Sequence, residues 1–191
     1  MPDDSPSPRL PRADSQRNRE RLLGVAKAAF TQENADVALE EIARRAGVGI
    51  GTLYRHFPDR GALLAAVYRR ELEQLTAAAD ALLAEGVPIQ ALEGWLEQLV
   101  DYMATKRVIA PALQASPKGA EAYAAAGPVL SEALERLVRA GVASGDIRAD
   151  MRSEDLMRLI AGVSYGYDKP DWEPSARRLI GVLVAGLRSG G

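Results

Sequence analysis

Residues 39–58 read Leu39-Glu40-Glu41-Ile42-Ala43-Arg44-Arg45-Ala46-Gly47-Val48-Gly49-Ile50-Gly51-Thr52-Leu53-Tyr54-Arg55-His56-Phe57-Pro58. This order predicts a helix, a tight turn and a second short helix, the geometry that lays a helix in the major groove of DNA. Ala43 stands where two helices approach too closely for a large side chain. Gly47 closes the first helix, at a position where a left-handed backbone costs glycine nothing. Ile42, Ala46, Val48 and Leu53 supply the small apolar core that sets the angle between the helices. A purely structural helical hairpin is the competing reading, and the joint register of small residue, glycine and apolar set favours DNA binding over it.

The rest of the chain fits a DNA-facing head on a larger body. Between Arg9 and Arg70 there are 12 Lys/Arg against 7 Asp/Glu, net +5, whereas from Glu71 onward there are 12 against 17, net -5. A basic first third on an acidic remainder suits a part that meets phosphate and a part that does not. At 191 residues the chain holds one small reading module and one larger helical module. It has no cysteine, which excludes a disulfide frame, thiolate chemistry and a zinc finger. No window approaches eighteen consecutive apolar residues, and the first residues are polar and proline-rich rather than signal-like, so a cytoplasmic protein without membrane contact is expected.

Apolar spacing predicts an all-α chain of about nine helices, with no strand pattern. Residues 1–14, with Pro2, Pro6, Pro8 and Pro11, read as a disordered arm, on which Arg9 and Arg12 are either solvated or within reach of a minor groove. A first helix follows over Arg17 to Gln32, with Asn34 as a left-handed stop. The reading pair completes a head over residues 15–60. Asp59 caps a long fourth helix, Arg60 to Ala84, which opens a body over residues 61–191. Gly86-Val87-Pro88 starts a fifth helix, and a short sixth over Arg107 to Ala115 contains Pro111. A seventh runs from Lys118 to Ala143, kinked or divided at Gly127-Pro128. Ser153 caps an eighth that ends near Tyr167, and the last spans Pro174 to Arg188.

The wording of residues 46–60, Ala-Gly-Val-Gly-Ile-Gly-Thr-Leu-Tyr-Arg-His-Phe-Pro-Asp-Arg, closely resembles the signature of TetR-family transcriptional regulators. The resemblance is strong over residues 17–72 and one of architecture beyond, with a weaker echo in Trp95 to Lys106 and in Gly186-Leu187-Arg188. Two departures stand out. Ala38 replaces the usual Ser or Thr cap, a loss of about 1 kcal/mol for the second helix, and Gly61 replaces the usual acidic residue in the first turn of the fourth.

That resemblance implies that Thr52, Tyr54, His56 and Arg60 hold the DNA backbone or flank the groove. Arg44 and Arg45 close the helix before the turn, and one of the two reaches DNA. Gly49, Ile50 and Gly51 open the recognition helix without a side-chain hydrogen-bonding group. Ile50 suits a thymine methyl, the glycines allow close backbone approach, and Arg45, Tyr54 and Arg55 are left as polar readers of base edges. His56 is the only histidine, which leaves no typical zinc site and no Ser-His-Asp arrangement elsewhere. No metal, cofactor or enzymatic activity is implied.

In the body, Leu156, Leu159, Ile160, Val163 and Tyr167 form one apolar face, and Leu179, Ile180, Leu183, Val184 and Leu187 another. Gly162, Gly166, Gly181 and Gly186 permit close helix approach there. The family resemblance implies a symmetric four-helix dimer interface from these faces; packing inside one chain is the alternative. Trp95, Leu99, Tyr102, Met103, Tyr123, Met157 and Tyr165 are the candidate pocket for an unidentified small-molecule effector, or else plain core. The expectation is a homodimeric repressor released from a palindromic operator, its heads about 34–36 Å apart or a multiple of that. A regulator without an effector and a helical small-molecule carrier are the alternatives.

Overall fold

The computed structural model describes residues 11–33, 35–163, 169 and 171–188. Among these residues it contains eight α-helices and no strand. They are α1 (Pro11–Gln32), α2 (Leu39–Arg45), α3 (Ile50–His56), α4 (Arg60–Ala84), α5 (Pro88–Gln114), α6 (Pro117–Ser144), α7 (Ser153–Val163) and α8 (Trp172–Leu187). The three short-range helices α1 to α3 pack around Leu22, Leu23, Ala26, Phe30, Ile42 and Leu53, all buried. Helix α4 continues from this head into the body, where it packs against α5 and α6, while α8 lies on α5. Its buried Leu63, Leu64, Val67, Tyr68, Leu72, Leu75 and Ala79 repeat at helical spacing.

Ion pairs tie head to body as well as apolar contact does. Lys27 of α1 pairs with Glu71 of α4, whose side chain is only 6% exposed, and Glu20 pairs with Arg70 at 3.2 Å. A buried carboxylate is tolerable only with such a partner. In the body, Trp95 Nε1 donates to the Leu75 carbonyl at 2.8 Å. The connection from α6 to α7 is pinned to the end of α8, where Arg148 N donates to the Leu187 carbonyl at 2.9 Å and Ile147 forms an isolated bridge with Arg188.

The boundaries differ from the expected ones at informative places. Helix α1 begins at Pro11 rather than near Arg17, which shortens the expected arm of residues 1–14 and puts Arg12 inside the helix. Proline is well suited to a first helical position, since the donor it lacks has no partner there, and Asp14 adds negative charge to the first turn. The expected fifth and sixth helices are one, α5, which runs without a break before Arg107 and carries Pro111 in its last turn, where it removes a single donor. Helix α6 runs unbroken through Pro128. Ala124, whose carbonyl that proline leaves free, is exposed, so water can satisfy it. Ser153 is the first residue of α7 rather than its cap; the Arg152 carbonyl accepts from Leu156 N. Arg9, Asn34 and the expected end of this helix near Tyr167 lie outside the described residues.

Candidate nucleic-acid interface

The helix-turn-helix is built by backbone geometry more than by side-chain caps. Ala38 precedes α2 in extended conformation with no side-chain cap, as its lack of an acceptor requires. Gly47 has φ +65°, the left-handed region in which a Cβ would be strained. Gly47 N donates to the Arg44 carbonyl at 3.1 Å and Val48 N to the Ala43 carbonyl at 3.0 Å, closing the turn. Gly49 then leads into α3, whose Leu53 is fully buried against the α2 residues Ile42 and Ala43 and the following Ala46. Phe57 anchors the far end beneath the guanidinium of Arg19, 5.5 Å from its ring centroid, with the His56 ring tilted against it. At the exit, Asp59 accepts from Ala62 N at 2.7 Å and caps α4.

With Leu53 turned in, α3 presents Ile50, Gly51, Tyr54 and Arg55 outward, and Thr52 and His56 lie half-buried at its edges. Arg55 reaches back to the Gly51 carbonyl and to Thr52 Oγ1, both at 3.3 Å, so these two side chains act together. The two arginines of α2 are unequal. Arg45 is held by Glu33 and by Glu41 and is 34% exposed, whereas Arg44 is held by Glu41 alone, through two bonds of 2.7 Å, and is 72% exposed. The hydrogen bonds from Arg44 and Arg45 hold the Glu41 carboxyl down at about 2. Arg60 has a structural use that its residue type did not reveal. Its guanidinium donates to the carbonyls of Ala35 and Val37, each at 2.7 Å, and so clamps the loop between α1 and α2. Arg21 is a basic group that the sequence reading passed over. Its Nη1 would lie 3.7 Å from a Cβ on Gly47, beside the turn, and the only sequence signal is its i+4 spacing from Arg17.

Among the described residues, the predicted pocket residues are shared between the core, a groove and a crevice. Trp95 is fully buried core, and Met157 lines a surface groove of about 340 Å³ between α6 and α7, with Pro128, Ser131, Glu132, Glu135, Ser153 and Glu154. Leu99 and Met103 line a narrow crevice of about 10 Å³ with Ile160, Val163 and Trp172. Tyr102 donates its hydroxyl to that of Tyr68 at 2.7 Å, and Tyr68 stacks on Tyr123, whose ring carries Lys106 Nζ at 4.5 Å. This trio joins α4, α5 and α6. Burial pushes the Tyr68 and Tyr102 hydroxyls above the ordinary phenolic range. A raised folded-state pKa means stability that is complete below the unfolded value, about 10, and is lost as pH rises beyond it. Alkaline unfolding of the wild type is therefore expected to begin near pH 10, and Tyr102→Phe, followed by circular dichroism, is expected to flatten that limb. An unchanged alkaline limb in the variant would contradict this account.

The residues of the two expected dimer faces divide into a buried and an outward set. Leu156, Ile160, Ile180, Val184 and Leu187 are buried in the chain's own core, and Val163 and Leu183 are half-buried. The outward apolar surface is Leu159 on α7 and Leu179 on α8, both in the expected faces, joined by Val182 on α8, and Gly162, Gly181 and Gly186 are exposed as well. A Cβ on any of these three glycines would meet nothing within 4 Å. Tyr165, Gly166 and Tyr167 lie outside the described residues.

A head of this geometry, basic around its turn and carried on a larger helical body, defines a helix-turn-helix DNA-binding regulator. Residues 22–67 match the family described as bacterial regulatory proteins, tetR family, and residues 87–189 match the transcriptional regulator SbtR-like C-terminal domain. The chain therefore belongs to the TetR family of transcriptional regulators. Among solved structures it is similar to the TetR transcriptional regulator SCO0520 from Streptomyces coelicolor, at 39% identity and TM-score 0.80 over 91% of this chain and 99% of that one. It is also similar to a TetR regulatory protein from Mycobacterium vanbaalenii, at 34% identity and TM-score 0.77 over 93% and 98% of the two chains. A helix-turn-helix-type transcriptional regulator of Staphylococcus aureus is 38% identical over 63 residues, only 32% of this chain and 34% of that protein.

Proposed function

We propose that this chain is a homodimeric transcriptional repressor that binds a palindromic operator and is released from it by a small-molecule effector. The observation that carries the reading is the outward face of α3. Ile50, Tyr54 and Arg55 stand exposed on a helix whose opposite side is locked by Leu53, with Arg21 and Arg44 flanking the turn. In this reading residues 15–60 are the DNA-binding head and residues 61–191 the dimerisation and effector body. Arg44, exposed and held once, reaches phosphate, while Arg45 and Arg60 keep the head in shape. The exposed Leu159, Leu179 and Val182 support pairing with a second copy, and one head reads too few base pairs to specify a site alone. The tyrosine trio supports an effector route, because a ligand that parts Tyr102 from Tyr68 shifts α4, the helix that carries the head. DNA and ligand then oppose one another reciprocally. No described helix is long and apolar enough to cross a membrane, and a DNA-binding role calls for a cytoplasmic location.

The test is a mobility shift with footprinting on the DNA flanking the protein's own gene, at several salt concentrations. The expected result is a protected palindrome with two chains per site and a steep salt dependence. Arg44→Gln is expected to lower the slope of log affinity against log salt by about 1 per head, and Arg45→Gln to leave it unchanged. Absence of binding to any duplex at low salt contradicts the proposal.

A further inference from the structure

The bareness of Gly51 in the recognition helix has no explanation inside the chain. Gly51 lies within α3, where glycine costs about 1 kcal/mol relative to alanine, and Gly49 precedes it. A Cβ on either would meet nothing within 4 Å, so neither is bare to make room for the protein itself. Ile50, between them, is 36% exposed, and Tyr54, one turn along the same face, is 44% exposed. The leading edge of the helix is thus a single branched aliphatic side chain, backed by an aromatic ring and flanked by open backbone. The polar readers stand further back, and Arg55 is partly tethered to Gly51 and Thr52.

The first residues of a recognition helix are those that meet base edges. In the major groove the distinctive apolar feature of a base edge is the C5-methyl of thymine. We infer that Ile50 is the specificity-determining residue of this protein, reading a thymine methyl in each half-site, with Tyr54 completing the apolar patch and the bare Gly49 and Gly51 letting the backbone close on the groove. This rests on the proposed reading of α3 as the element that enters the major groove. Removing one methyl from a buried apolar contact lowers affinity about fourfold, and about fifteenfold when both half-sites lose it.

The experiment first selects a binding site from a random-core duplex library with the full-length protein. Each thymine of that site is then replaced singly by deoxyuridine, which removes only the methyl, and binding is measured for the wild type and for Ile50→Ala. One thymine per half-site is expected to show the fourfold loss with the wild type and no loss with Ile50→Ala. Ile50→Val, which keeps a branched contact, is expected to retain part of the sensitivity. If the wild type is indifferent to every deoxyuridine, or if Ile50→Ala keeps the same sensitive thymine, the inference is overturned while the operator-binding reading stands. If the wild type selects no site, the operator-binding reading falls and the inference with it.

Discussion

Gly119→Ala is expected to lower the thermal midpoint by about 6–12 °C, the equivalent of about 3 kcal/mol for a chain of this size. A Cβ at position 119 would lie 1.9 Å from the Leu113 carbonyl oxygen, 2.8 Å from its carbonyl carbon and 2.9 Å from Ser116 Oγ. The first two atoms are backbone and cannot rotate away. The third is the cap of α6, which accepts from Gly119 N at 3.1 Å, so relieving the clash also costs the cap. Opening this corner has a consequence for the head. Ser116 Oγ lies 3.5 Å from where a Cβ on Gly61 would stand, and Asp59 Oδ1 lies 3.3 Å from it. The corner between α5 and α6 therefore rests on the first turn of α4, directly after the recognition helix. That proximity leaves little room at position 61 and gives a steric reason for the departure from the usual acidic residue. Calorimetry and operator binding measured on Gly119→Ala are expected to fall together. A wild-type midpoint for Gly119→Ala would show that the corner has slack the structure does not contain.

The head was legible because its requirements are local and stereochemical. A glycine at the turn, a small residue at the crossing and four apolar positions admit few arrangements, and Gly47, Ala43, Ile42 and Leu53 stand as their chemistry demands. The arginines were legible only as charges. That Arg60 serves two loop carbonyls 23 and 25 residues back, and that Glu41 divides itself between Arg44 and Arg45, are tertiary facts with no sequence period. Whether a proline divides a helix is legible only in part, for a related reason. The cost at Pro111 and Pro128 is one hydrogen bond each, and whether that bond matters depends on where the freed carbonyl points. The faces of α7 and α8 were legible only in part, because both helices are apolar on adjoining sides. Periodicity groups Leu156 with Ile160, and Leu159 with Gly162, but it does not say which group meets the chain's own core.

Val182→Asp tests the outward face of α8 as the dimer contact and carries the largest functional effect expected of any surface change. Val182 is 71% exposed, so the monomer is expected to keep its fold within about 0.5 kcal/mol. In a two-fold interface the same substitution appears twice. Each copy would bury a carboxylate with no partner, at a cost of several kcal/mol, and the dimer dissociation constant is expected to rise at least about 100-fold. Operator affinity then falls with it, since a lone head keeps only one half-site. Sedimentation at micromolar concentration is expected to show a monomer, with an unchanged circular dichroism spectrum and a lost specific shift on operator DNA. Leu156→Asp provides the contrast. Its side chain is fully buried, so it is expected to unfold the body rather than divide a dimer. If Val182→Asp sediments as a dimer with full operator affinity, the outward face of α8 is not where the two copies meet, and the buried residues of α7 would have to be reconsidered as exchanging between chains.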